Sequence, residues 1–377
     1  MIFDNPVKVD WGTPDFAGLC QLIAGRRAAL VTTKGSEDRG LVELVKRRAE
    51  IDGGEELRVT AGSRPNPTVA SIQKNAAELL DSGQTPELLI ALGGGSALDT
   101  AKGIAAIASL GCSPEWFSDH LRGGLPFPES FAPPAIIAIS TTAGTGSEVT
   151  MWGTVWDEIS GAKYSISHRR LYAERAVLIP ELTLSAPPDL TLFTALDAIS
   201  HCMESIWNKR ASAVSDAFAS AGISRIIPSI GHALKHPGDL DARRRLQEGA
   251  LLGGLAISCT ATALAHSISY PLTSQLGMPH GLACSFTLPE LIRFNGEVAP
   301  NRIAVIAQAM QADSANEASV SLSRFFSDWN VSGYVRRYVD EEKARALKDR
   351  LLTPGRADNN VRAATLDDAM RIVIHSI

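Results

Sequence analysis

The chain has 377 residues, 45% of them hydrophobic and 20% charged, with a formal net charge of −5. That length suits two domains with ample apolar material for their cores, and the mild acidic balance excludes a broad nucleic-acid surface. Five widely spaced cysteines, with no C-x-x-C pair, exclude a disulfide framework or a zinc finger.

In chain order, the opening "MIFDNPVKVDWG" lacks a basic region followed by an apolar run and does not read as a secretory signal. "RAALVTT" (27–33) is a predicted strand and "GLVELVKRRAEI" the helix after it. "EELRVTAG" is a second strand, and "TVASIQKNAAELLDSG" a helix with a glycine stop. "PELLIALGGG" runs from strand into glycines, "SALDTAKGIAAIASLG" is helical, and "PAIIAIST" is a further strand. Strand and helix in alternation predict a parallel sheet with crossover helices. Near residue 185, at "LSAPPDL", two prolines interrupt the chain and the texture changes. Helical patterns follow at 191–207, 212–234, 239–269, 281–294, 300–312 and 316–328. The expected architecture is an α/β domain over 1–185 and an all-helical domain over 186–377, with the charged stretch 340–360 expected to be mobile. One run, "LLGGLAISCTATALAHSI", is long and apolar, but its Gly, Ser, Thr and His content reads as a buried core helix. The chain is therefore expected to be cytoplasmic, with no membrane partner.

Two loops stand out in the first half. In "LLIALGGGSALDTAKGIAA" (88–106), Gly93, Gly94 and Gly95 let backbone approach a ligand closely, and the amides opening the helix favour an anion such as a pyrophosphate. The spacing is neither G-x-G-x-x-G nor a Walker A motif, so a plain tight turn stands beside that reading. "AISTTAGTGSEVT" (138–150) is dense in small hydroxyl residues. Two such loops after neighbouring strands suit a dinucleotide lying across strand ends.

In the second half, "LDAISHCMES" (196–205) sets Asp197 and His201 on one helical face. Thr194 and Asp197 also have capping-box spacing, so Asp197 as a mere helix cap is the competing reading. In "ALAHSISYPLTSQLGMPHGLACS" (263–285), His266 and His280 stand 14 residues apart in apolar surroundings. Three of the eight histidines alongside an aspartate are more economically read as a metal site than as four unrelated buried groups. Three neutral imidazoles and one carboxylate would leave a divalent ion net positive, a Lewis acid if one position stays open. Such donors suit Fe²⁺ or Zn²⁺ and do not choose between them.

"GGGSALDTAK", "STTAGTGSEVT", "LDAISHCMESIW" and "AHSISYPLTSQLGMPHG" together resemble the iron-containing, group III metal-dependent alcohol dehydrogenases. The resemblance spans nearly the whole chain. It implies a dinucleotide-binding α/β domain, a helical metal-binding domain, an active site in the cleft and a homodimer. It implies metal ligands at Asp197, His201, His266 and His280, and cofactor contacts at Gly94, Gly95, Ser96, Asp99, Thr141, Thr142, Thr145, Asn66 and Lys163. Two departures matter. Where many members carry a second histidine near the nicotinamide, this chain has Tyr270, a poor proton relay at neutral pH. Where NAD-preferring relatives end the first strand with an acid, this chain has Thr33 and Lys34, which favours NADPH over NADH.

"TVWDEISGAKYSI", "SHCMESIW" and "HSISYPLTSQLGMPHG" are most similar to the phosphonoacetaldehyde reductase (2-hydroxyethylphosphonate dehydrogenase) branch, which implies a small anionic aldehyde substrate in phosphonate biosynthesis. Lys163, His168, Arg169, Arg170, Ser258 and Tyr270 are the phosphonate-binding candidates, although a solvated face is the ordinary reading of such an arginine pair. Open alternatives are a reductase of a neutral aldehyde or of maleylacetate, a dehydroquinate-synthase-like lyase, and a non-catalytic nucleotide-binding module.

Overall fold

The computed structural model describes residues 4–50, 57–81, 83–109 and 112–377. The chain divides into two compact units, one of Asn5–Thr142 with Ser147–Ser185, the other of Asp4, Ala143–Gly146 and Ala186–Ile377. Glu55 and Glu56 of the predicted second strand, Ile51 of the first predicted helix, and Leu110 and Gly111 of the third lie outside the described residues.

Among the described residues the first unit is built on six strands: β1 (Lys8–Trp11), β2 (Ala28–Thr33), β3 (Arg58–Ser63), β4 (Leu88–Gly93), β5 (Ala135–Ser140) and, after two strands that pair separately, β8 (Arg175–Leu178). They pair in the order β1-β8-β5-β4-β2-β3, parallel throughout, as the alternation of strand and helix predicted. Successive side chains of a strand point to opposite faces, and here both faces are apolar. Leu89 and Ala91 of β4 join one core with Val31 and Ala138, while Leu88, Ile90 and Leu92 join the other with Leu30 and Ile139. A sheet covered on both sides explains why these strands read as unbroken apolar runs. Beyond β2 the chain first adds β3 on one side, then returns to place β4 on the other. The strand order therefore reverses between β2 and β4, where open α/β sheets bind ligands at the carboxyl ends of their strands.

Several elements escaped the sequence reading. β1 and β8 are four residues each, and β1 carries Lys8 and Asp10. The antiparallel hairpin of β6 (Trp152–Trp156) and β7 (Lys163–Ser167) and the helix Pro114–Gly123 were not predicted.

The second unit is helical and packs around one large core. The helix expected over 239–269 is two helices, Leu240–Thr260 and Leu264–Leu276, bent by 107° at the break. Ala261 takes φ +60° there, and its carbonyl accepts from Asn208 Nδ2 (3.2 Å) and Thr260 Oγ1 (2.9 Å), so side chains replace the helical ladder. The predicted 281–294 helix likewise divides into His280–Ala283 and Leu288–Gly296. The stretch 340–360, expected to be mobile, is built: Glu341–Ala346 is helical and Leu351 is fully buried. Among the described residues no single helix is long and apolar enough to cross a membrane.

Candidate active site: a metal cluster and a nucleotide crevice

In the helical unit, the helix Pro188–Ile206 carries Asp197 and His201 one turn apart on one buried face. Asp197 lies in mid-helix rather than at the cap, so the capping reading is withdrawn. The bend at Ala261 lets the next helix bring His266 to the same place, where its Nε2 lies 3.6 Å from Asp197 Oδ1 and His201 Nε2 lies 3.4 Å from it. The His201 and His266 rings stack at 4.9 Å, and His280 meets His266 edge-on at 5.4 Å. The four residues named from sequence are thus brought together. His280 gets there because Gly281 has no side chain: a Cβ would sit 2.0 Å from the Phe193 carbonyl oxygen. Ser200 Oγ fastens this turn by donating to the Cys284 carbonyl at 2.8 Å.

Two neighbours were missed. Glu204, fully buried, accepts the backbone N–H of His266 (3.2 Å) and its Nδ1–H (2.5 Å). A carboxylate on Nδ1 fixes the tautomer of the neutral ring, so Nε2 is the nitrogen left to face Asp197 and to ligate an ion. That buried Nε2 makes no hydrogen bond. Cys284 donates its thiol to Asp197 Oδ1 at 3.1 Å, and the donor atoms of Asp197, His266, His280 and Cys284 all lie within 4.8 Å of one another. The spacing did carry both signals: Glu204 is three residues after His201 and Cys284 four after His280, each on the same helical face.

The electrostatics favour a cation. Burial alone would raise the Asp197 carboxyl, but the His201, His266 and His280 imidazoles outweigh it and hold the group far below the ordinary carboxylate range. Burial would lower His266, yet Glu204 and Asp197 raise it to about 9, so a cation at Nε2 would take the place of a proton there. Burial keeps His201 below the usual histidine value. An orphaned, tautomer-fixed Nε2 facing a buried carboxylate and two further imidazoles fits a divalent ion with nitrogen and oxygen ligands.

In the α/β unit, the carboxyl ends of β2 and β4 meet at the reversal of strand order. Gly93 has φ +155°, and a Cβ there would lie 2.6 Å from Ala97 Cβ and 3.4 Å from Thr33 Cγ2. The helix Gly95–Ile107 starts at Gly94 with no side-chain cap, so side chains leave its first amides to a ligand. Thr141 N–H donates to Gly93 O at 2.9 Å, tying the second loop to the first after the paired strands β4 and β5. A Cβ on Gly94 would lie 3.3 Å from the Thr142 side chain. Asn66 is exposed, with φ +55°, and Lys163 Nζ lies 5.6 Å over the Trp156 ring. Thr145 groups with the helical unit.

Three of the named residues are engaged within the chain. Asp99, raised by burial, accepts from Ser147 Oγ (2.6 Å) and Thr154 N–H (3.0 Å). Next to it Lys102, buried and lowered to about 8, donates to Ser147 O (2.7 Å) and Trp152 O (2.8 Å). These bonds position the loop. Thr33 Oγ1 caps the short helix after β2 by accepting from Ser36 N–H. Lys34 is exposed and pairs with Glu37 (2.8 Å) and Asp38 (3.2 Å), which offsets the charge expected to meet a 2′-phosphate.

Residues 7–180 match the model described as iron-containing alcohol dehydrogenase, and 191–377 match that of the Fe-containing alcohol dehydrogenase family, C-terminal. The chain is 31% identical over 323 residues to the NADPH-dependent butanol dehydrogenase of Clostridium saccharobutylicum, covering 85% of this chain and 81% of that one. It is 29% identical over 364 residues to the sulfoacetaldehyde reductase of Bilophila wadsworthia (strain 3_1_6), covering 93% and 92%. The crystal structure of sulfoacetaldehyde reductase from Bifidobacterium kashiwanohense in complex with NAD+ superposes with a TM-score of 0.87 at 26% identity, covering 100% and 98% of the two chains. Both family models describe dehydrogenases, which decides against the lyase and the non-catalytic module. The chain belongs to the iron-containing alcohol dehydrogenase family and is an oxidoreductase that interconverts alcohols and carbonyl compounds.

Proposed function

We propose that this enzyme reduces a small anionic aldehyde to its primary alcohol, with phosphonoacetaldehyde as the substrate. The observation that carries the catalytic part is the convergence of Asp197, His201, His266 and His280 around the unbonded Nε2 of His266. In this reading those four residues hold Fe²⁺ or Zn²⁺. When bound, the ion supplies Lewis acidity toward a carbonyl oxygen and the reduced nicotinamide supplies hydride to its carbon.

The chain's own residues prepare that chemistry. Glu204 holds His266 in the tautomer that offers Nε2, and the Cys284 thiol steadies the Asp197 carboxylate. Burial of Asp197 and His201 excludes water from the charged cluster, which strengthens each interaction there. The uncapped helix after Gly94 is the pyrophosphate seat, with Gly95, Ser96, Thr141 and Thr142 around it. Tyr270 does not serve as a proton relay in this reading, because an unperturbed phenol titrates near 10; its oxygen accepts a hydrogen bond from Arg356.

The anionic substrate is supported by the sequence resemblance to phosphonoacetaldehyde reductases and by the sulfoacetaldehyde reductases among the relatives, whose named substrate is also a two-carbon aldehyde with a strong anion. NADPH is favoured because Thr33 stands where an acid would repel a 2′-phosphate, and the ratio of KM values for NADH and NADPH tests it. We further infer a cytoplasmic homodimer: among the described residues no cysteine is in a disulfide, and Val9 and Trp11 are exposed on the edge strand β1.

A second reading, reduction of a neutral aldehyde, is favoured by the identity to the butanol dehydrogenase. Oxidation of NADPH by protein loaded separately with Fe²⁺ and Zn²⁺ decides between them. The first reading requires a higher kcat/KM with phosphonoacetaldehyde than with propanal. A preference for propanal sinks it.

A further inference from the structure

We propose that Arg356, braced by Tyr270, binds the anionic group of the substrate and makes the enzyme selective for charged aldehydes. This rests on the reading of the site as an aldehyde reductase. Arg356 Nε donates to Tyr270 Oη at 3.2 Å and its Nη1 donates to the Gly355 carbonyl at 3.1 Å. Among the described residues these two bonds account for the hydrogen bonds of its guanidinium, and no carboxylate pairs with it. The nearest acid in sequence, Asp358, is turned to the Gly355 N–H at 2.9 Å. A guanidinium with no carboxylate partner, held partly out of solvent, is available to an incoming anion. Its planar fork, always charged, matches the oxygens of a phosphonate or sulfonate.

The placement suits a two-carbon aldehyde. Tyr270 follows His266 by one helical turn, about 6 Å along the axis and on the same face. An aldehyde oxygen at the imidazole cluster would leave the anion of a short substrate beside the next turn, where Tyr270 holds Arg356. The loop that carries Arg356 is fixed to that same helix and to the bend just before it. Thr353 N–H donates to Ser267 Oγ (2.6 Å), Ser267 Oγ donates to Leu351 O (2.8 Å), and Asn359 Nδ2 donates to Thr262 O (2.8 Å). The cation is therefore preorganised rather than carried on a free arm. By contrast, Arg170 of the basic run in the α/β unit is engaged by its own fold: it donates its Nη1 to the Phe131 carbonyl and its backbone N–H to His168 Nδ1.

The test is steady-state kinetics of the metal-loaded enzyme with NADPH and phosphonoacetaldehyde, sulfoacetaldehyde or propanal, for wild type, Arg356→Ala, Arg356→Lys and Tyr270→Phe. Arg356→Ala should raise KM for both anionic aldehydes on the order of 10- to 100-fold, the range of a lost charged hydrogen bond, and move KM for propanal by less than about threefold. Arg356→Lys should recover part of the loss, because it restores charge without the fork. Tyr270→Phe should raise KM for the anions only, and by less than Arg356→Ala. Equal losses on charged and neutral aldehydes would overturn the proposal, since Arg356 would then only support the fold. An unchanged KM for the anions in Arg356→Ala would overturn it while leaving the proposed function standing. A wild type that prefers propanal would remove the proposed function first, and this inference with it.

Discussion

At the carboxyl end of β4 the backbone itself is the candidate binding surface: Gly93 bends at φ +155°, and the helix that follows opens with no side-chain cap. Around His266 the reverse holds, for every candidate ligand is a side chain, and those side chains arrive from three helices and the bend at Ala261. A backbone site depends on shape and tolerates side-chain changes around it. A side-chain site depends on each donor and on whatever orients that donor. Damage in the helical unit should therefore cost metal and chemistry, and damage in the α/β unit should cost cofactor affinity.

The largest effect expected is from His266→Ala. Removing an imidazole that faces Asp197 at 3.6 Å should abolish stoichiometric metal binding and lower kcat by more than about 1,000-fold. NADPH binding, followed by nucleotide fluorescence, should stay within about threefold of wild type. Loss of both together would break the contrast between the two kinds of site.

Next comes Glu204→Gln, which keeps the shape but removes the carboxylate that fixes the His266 tautomer. Metal affinity, measured by chelator competition, should fall on the order of 10- to 100-fold, and excess metal should restore most of the activity. Unchanged affinity would show that Glu204 is only a buried partner. The mirror experiment is Gly93→Ala, where the new Cβ would meet Ala97 at 2.6 Å and the backbone is strained. KM for NADPH should rise about 10-fold with metal content intact.

These contrasts also account for what could be read from the sequence. Asp197 and His201 share a helical face by spacing alone, and His266 and His280 stood out because few histidines lie in apolar segments. The parallel sheet was legible because both faces of β4 are buried, which leaves an unbroken apolar run. The bend at Ala261 was not legible, because Asn208 and Thr260 supply its hydrogen bonds and the first of these is 53 residues away. Arg356 was hidden for a similar reason: its partner Tyr270 lies 86 residues earlier, and the charged stretch around it read as mobile. Pairings across such distances leave no period in the chain.

The smallest effect probes an electrostatic contact of the α/β unit against the buried Glu204–His266 pair. Arg122, from the helix Pro114–Gly123, forks onto Asp157 after β6 at 2.7 and 3.1 Å and holds its carboxyl down at about 2. A carboxyl lowered in the folded state stabilises above its unfolded value near 3.8 and loses that contribution as pH falls toward 2. Asp157→Asn should therefore lower Tm at pH 6, and the gap from wild type should narrow as pH drops from about 4. The Arg122 side chain is 39% exposed, so water and salt screen the pair. The shift should be no more than about 1–2 °C and should shrink in high salt. Metal affinity should not change at all, because neither residue belongs to the helical unit. A pH-independent gap would assign the loss to the Ser160 and Ile159 contacts of Asp157 rather than to its charge. A change in metal affinity would show that the two units do not hold their sites independently.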